Sequence, residues 1–196
     1  MSYRKSMILL LMVALLGCST LGKKVTSENN EVRMPHYIFW IPPNAGWYVR
    51  TEDDPFETTI VSMDLGIALA QMKFLTQTIL DERLRMMTAK EVADDYREKE
   101  KIMMIEQGVK KGLYELPRGP TMSEEILGGR TFYIMYYQAS STNNFQDAWL
   151  YLLFPKESHN DWFIVAHYSL TAPHGLFIAN NRKPDFLATL QSLDTR

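Results

Sequence analysis

Only one cysteine occurs in these 196 residues, so an internal disulfide framework and a cysteine-based zinc cluster are both excluded. Charge of one sign is also missing: 21 Lys and Arg stand against 23 Asp and Glu. A balanced chain lacks the basic excess with which a nucleic-acid binder neutralises phosphates. Glycine and proline are ordinary at 10 and 9, which excludes a collagen-like chain. Long apolar runs are absent too. The stretch Met7–Leu16 has ten residues, where a membrane-spanning helix needs about 20. Composition therefore describes one ordinary globular domain with a core.

The chemical motifs are missing as well. The histidines are His36, His159, His167 and His174, and none has the spacing of a sequence-local zinc site. His167 reads as a packed or edge histidine within a strand, and His159-Asn160-Asp161 as a hairpin loop. A metal or acid–base set of His159, Asp161 and His174 is the weaker alternative. No Gly-x-Ser-x-Gly elbow supports a nucleophile. Gly128-Gly129 has no Lys-Ser/Thr partner and precedes a strand, so it reads as a tight turn, not a phosphate loop. Glu52-Asp53-Asp54 and Glu124-Glu125 read as solvated loops. The expectation is a protein that is not an enzyme and carries no metal or cofactor.

What is present begins at the N-terminus. Arg4 and Lys5 precede the apolar run, and Leu15-Leu16-Gly17-Cys18 follows it. A charged start, a short apolar segment and a small residue before a cut form a secretory signal. With Cys18 directly after that residue, the segment resembles the bacterial lipobox. The resemblance implies cleavage after residue 17 and acylation of Cys18. Several acyl chains anchor stably where one alone is marginal. Ser19, in place of the Asp that favours inner-membrane retention, implies an outer-membrane protein facing the periplasm if the cell is Gram-negative. Cleavage removes two cations and no acid, so the acyl chains and not surface charge would hold the protein on the membrane.

Residues 1–17 are thus expected to be a signal peptide, 18–32 a lipidated, flexible polar tether, and 33–196 a single domain. Within the domain, His36–Ile41 is strand-like until Pro42-Pro43 breaks it, and Glu57–Met63 is β-branched. Asp64-Leu65-Gly66 suits a hairpin turn. Residues 67–86 fit helical spacing and strand alternation alike, and the turn before them favours a strand. Thr88 and Glu91 form a capping box opening a helix to about Lys111, with Asp95–Lys99 and Glu106–Lys110 pairs along it. Arg130–Ala139, Ala148–Phe154 and Trp162–Leu170 are three strands of an antiparallel meander. They barely alternate, so both sheet faces should be covered, by helices. A last helix runs from Pro184 to Leu193.

This order, with Phe39-Trp40-Ile41-Pro42-Pro43, Gly46-Trp47, Gly128-Gly129-Arg130 and the Phe186/Leu190/Leu193 ending, resembles the Mog1/PsbP-like superfamily, including bacterial lipoproteins of the DcrB type, over about 33–193. The resemblance implies an α+β fold: an α/β/α sandwich with a mainly antiparallel sheet, a long middle helix and a short C-terminal one. It also tilts the function toward binding or assembling a protein partner in the cell envelope. The alternative is a carrier of a small apolar ligand or lipid. The aromatic surplus points to core packing first. Its second reading is a ligand or partner cleft near Trp40, Trp47 and Phe177, the last on the long 171–181 loop.

Overall fold

The computed structural model describes residues 22–43, 46–50, 54–64, 68–158, 160–174 and 182–195. In chain order the elements are β1 (Lys23–Lys24), β2 (Glu31–Arg33), β3 (Tyr37–Trp40), β4 (Tyr48–Arg50), β5 (Glu57–Asp64), β6 (Ala68–Thr78), α1 (Glu82–Arg85) and α2 (Ala89–Met104). A π-helical turn (Ile105–Val109) extends α2, followed by β7 (Glu115–Leu127), β8 (Arg130–Ser140), β9 (Asn144–Leu153) and a 3-10 turn (Lys156–Ser158). Then come β10 (Trp162–Pro173), α3 (Lys183–Gln191) and β11 (Asp194–Thr195). The main sheet has eight strands in the order β1-β4-β5-β6-β10-β9-β8-β7, and β11-β3-β2 form a second, small one. Every pairing is antiparallel. The fold is α+β, with the expected long middle helix and short C-terminal helix.

The central strands hardly alternate because both sides of the sheet are buried. On one side Phe74, Tyr151, Tyr168, Ile164 and Phe132 pack with Phe186 and Leu190 of α3 and with Tyr37 and Phe39 of β3. On the other, Phe163, Val165, Leu150, Leu152 and Met135 meet Val92, Ala93 and Met104 of α2. Helix α2, with Leu84 of α1, covers its side, and α3 shares the opposite side with the small sheet. Helices thus lie on both faces, as expected; the small sheet is an addition beside α3, whose nine residues are too short to shield so wide a sheet alone.

Local chemistry explains the elements that were predicted. Thr88 accepts from the Glu91 N–H while the Glu91 carboxylate accepts from the Thr88 N–H, a complete capping box at the start of α2. The Lys99–Asp95 and Lys110–Glu106 pairs form at 2.6 and 2.5 Å. Gly128 and Gly129 have φ of +56° and +78°, and Leu127 pairs with Arg130 across them. Two consecutive positive φ values make the two-residue hairpin turn whose twist matches its strands. The ambiguous 67–86 region is a strand to Thr78, its Ala70, Met72 and Phe74 all buried, with α1 after it. The expected 64–66 turn lies mostly outside the described residues.

Three expectations are corrected. Residues 22–32 are part of the fold: β1 pairs with β4, and Val25 is buried with its N–H on the Trp47 carbonyl at 2.8 Å. Two valines, Val25 and Val32, are enough in a polar stretch once the sheets supply the pocket and the hydrogen-bond partners. Glu124-Glu125 lie in β7, not in a loop. This strand carries Pro117 and Pro120, sits at the sheet edge and is mostly exposed, so it lacks an apolar signature. The loop expected at 140–147 is short, because β9 already starts at Asn144.

Candidate functional site

The end of α2 departs from an ideal helix. Lys110 N–H donates to the Ile105 carbonyl at 2.9 Å and Leu113 N–H to the Gly108 carbonyl at 3.0 Å, both five residues back. Such π-turns recur at functional positions. The Tyr114 hydroxyl donates to the Met104 carbonyl at 3.0 Å. The Tyr114 ring lies so close over Gly108 that a Cβ there would overlap it. Gly108, lacking a side chain, is what lets the ring lie down.

Apolar side chains before, within and after the turn are exposed to solvent. Ile102 and Leu113 are 57% and 63% exposed, Met103 is half exposed, and Val109 adds to them. Tyr114 forms a wall between two concavities. One, of about 480 Å³, is lined by Val109, Leu113 and Ser140. The other, of about 280 Å³, is lined by Ala139, Phe145 and Thr171. His174 stands near the second, its Nε2 at 2.7 Å from the Ser141 carbonyl. Exposed apolar side chains beside two shallow grooves can seat a partner's side chains. The Ser140 hydroxyl lies 3.4 Å from His174 Nε2, but that nitrogen must donate to the Ser141 carbonyl at 2.7 Å and so is not free to act as a base toward the hydroxyl.

The residues expected to form an aromatic cleft have separate surroundings. Trp47 is fully buried, donates its indole N–H to Asp185 at 3.1 Å and lies under the Arg182 guanidinium. Trp40 is 37% exposed and exchanges backbone hydrogen bonds with the Ser192 hydroxyl. Asp185 and Ser192 mark opposite ends of α3, about 10 Å apart along its axis. The structure therefore does not bring Trp40 and Trp47 together in one cleft. Phe177, Cys18, Asp53 and His159 lie outside the described residues. His36 stacks on Trp162 at 4.6 Å. Among the described residues, no three His, Cys, Asp or Glu side chains gather as metal ligands.

His167 sits on the α2 side of the sheet, paired across strands with Lys73 and Leu150. Its Nε2 is sealed from solvent and has no hydrogen-bond partner. Lys73 is held by Glu57 at 2.7 Å. Burial, then the Lys73 charge, pushes the imidazole down to about 4. The unfolded chain binds the proton first, near 6.5, so the stability from neutral His167 is complete above that pH and is lost as pH falls toward 4. A loss of roughly 3 kcal/mol is expected across this window. Burial raises the half-buried Glu100 carboxyl, which acts in the opposite sense. Urea midpoints from pH 7 to 4.5 check this: His167→Gln should flatten the fall, and equal slopes for both proteins would refute it.

No protein-family model matches this chain, and no curated protein matches it. Solved structures with a similar course include cyanobacterial PsbP (CyanoP) from Synechocystis, 17% identical with a TM-score of 0.45 over 82% of this chain and 86% of that one. A Bacteroides thetaiotaomicron protein is 12% identical with a TM-score of 0.41, over 90% of this chain and 49% of that one. LpqN of Mycobacterium tuberculosis, described as involved in cell envelope biogenesis, is 11% identical with a TM-score of 0.40, over 89% and 99%. At these levels the similarities carry no argument about family or activity.

Proposed function

We propose that this chain is a lipid-anchored protein of the cell envelope, without catalytic activity, that docks a protein partner on the apolar ridge at the end of α2. The observation that carries the reading is the exposure of Val109 and Leu113 in the groove beside Tyr114, with Ile102 and Met103 exposed earlier on the same helix. Apolar side chains gathered on one exposed surface mark interaction sites more often than they occur by chance. Cys18 is the proposed lipid attachment point, residues 1–17 the signal, and the bacterial envelope the place. No helix among the described residues is long and apolar enough to cross a membrane.

The test is a photo-crosslinking residue placed at Leu113 in cells, with Met86 as the control. Met86 is also apolar and exposed but stands before the other end of α2. A discrete adduct with one envelope protein from Leu113, absent from Met86, is expected. Leu113→Lys should reduce that protein's co-purification at least about tenfold, as hot-spot losses do. Identical adduct patterns at both positions would sink the reading.

A second reading, a carrier of a small apolar ligand, rests on a cleft of about 340 Å³ between α1, α2 and the sheet, lined by Ile79, Leu84, Val92, Tyr96 and Phe163. That is near the lower limit for a small-molecule site. A lipid extracted in stoichiometric amount with the purified protein would favour it.

A further inference from the structure

A different concavity lies at the opposite end of α2, by Ala89, between the β7–β8 turn, the end of β9 and β11. Its volume is about 570 Å³, larger than either groove beside Tyr114. Two cations line it. Arg130 opens β8 and is half-buried; its Nη1 donates to the Leu193 carbonyl. A guanidinium has five N–H donors in a fixed fork, so this anchor orients the side chain and leaves donors over. Lys156 opens the 3-10 turn after β9, is exposed, and its ammonium makes no ion pair with any described residue. Among the described residues of the lining, Asp194 is the one carboxylate.

The wall beside these cations is aromatic. Tyr133 and Phe154 meet edge to face at 6.0 Å and 77°. Gly129 keeps the mouth open, since nothing lies within 4 Å of where a Cβ would stand. Two cations facing one carboxylate leave positive charge uncompensated, and in a partly enclosed cleft that charge attracts an anion more strongly than on an open surface. An Arg fork suits the planar or tetrahedral oxygens of carboxylate or phosphate. The aromatic edges add apolar surface for whatever carries that group.

We propose that this cleft binds an organic anion with an apolar body, its phosphate or carboxylate group held by Arg130 and Lys156 and its body lying on Tyr133 and Phe154. The site is separate from the docking ridge and does not depend on it.

The probe is phenyl phosphate, titrated into the full chain in detergent by calorimetry, with inorganic phosphate as the comparison. Phenyl phosphate should bind at least about tenfold more tightly than inorganic phosphate, a step equal to one apolar contact surface. Lys156→Glu should weaken it by a similar factor while leaving the circular dichroism unchanged, since that side chain supports no other group. Arg130→Lys, which keeps a donor for the Leu193 carbonyl but loses the fork, should weaken it several-fold. Flotation on phosphatidic-acid against phosphatidylcholine vesicles distinguishes the source. A preference for phosphatidic acid that Lys156→Glu removes assigns the anion to a phospholipid headgroup. Phenyl phosphate binding without that preference assigns it to a soluble molecule. The proposal is overturned if Lys156→Glu and the unaltered chain bind phenyl phosphate equally. It is also overturned by inorganic phosphate binding as tightly, or by no saturable binding at about 10 mM.

Discussion

Phe186→Ala is expected to cost about 3–5 kcal/mol of folding free energy. The ring is fully buried and stands where three others meet: Tyr151 edge-on at 5.2 Å, Tyr168 stacked at 5.2 Å and Phe74 at 6.2 Å. Phe74 in turn stacks on Phe39 of the small sheet at 4.3 Å. Phe186 is thus the point at which α3, the main sheet and the small sheet share one packed cluster. Truncation leaves a cavity that nine residues of helix cannot move to fill, because Trp47 fixes one end of α3 through Asp185 and Trp40 fixes the other through Ser192. Domains of this size have about 5–15 kcal/mol in total, so the loss is a large fraction. Urea unfolding should show a lower midpoint at unchanged slope. A loss below about 1 kcal/mol would mean that the cluster relaxes around the gap.

The second large effect concerns location. Cys18→Ser should abolish fatty-acid labelling and leave the chain as precursor or release it from membranes. Serine lacks the thiol on which the proposed thioether forms, and without acyl chains the anchoring free energy of about 0.8 kcal/mol per buried CH₂ is gone. Net charge offers no substitute, since the chain is slightly acidic overall. Labelling at the level of the unaltered chain would refute the anchor. The folded domain should be unaffected, so urea midpoints of the two proteins provide the control.

Much of the architecture was legible from short-range chemistry. The capping box at Thr88 and Glu91 needs residues three apart, and it formed as read. Gly128-Gly129 between two strands could only be a tight turn, because two positive φ values in succession suit few other residues. The double-faced apolar pattern of β8, β9 and β10 required cover on both sides whatever the cover was. The α+β class follows from these features.

What tertiary structure decided was every contact that joins distant positions. Trp40 and Trp47 are near in sequence, yet one anchors each end of α3, and nothing within residues 40–47 encodes Ser192 or Asp185 as partners. Val25 became core because β4 lay beside it. Strand β7 formed at an edge, where paired backbone hydrogen bonds on one side can offset two prolines and a polar sequence. Tyr114 reaches back over Gly108 to the Met104 carbonyl across the π-turn, a contact that helical periodicity does not encode. Local rules set which elements exist; the Arg130–Lys156 cleft exists only because packing brings together groups the chain keeps apart.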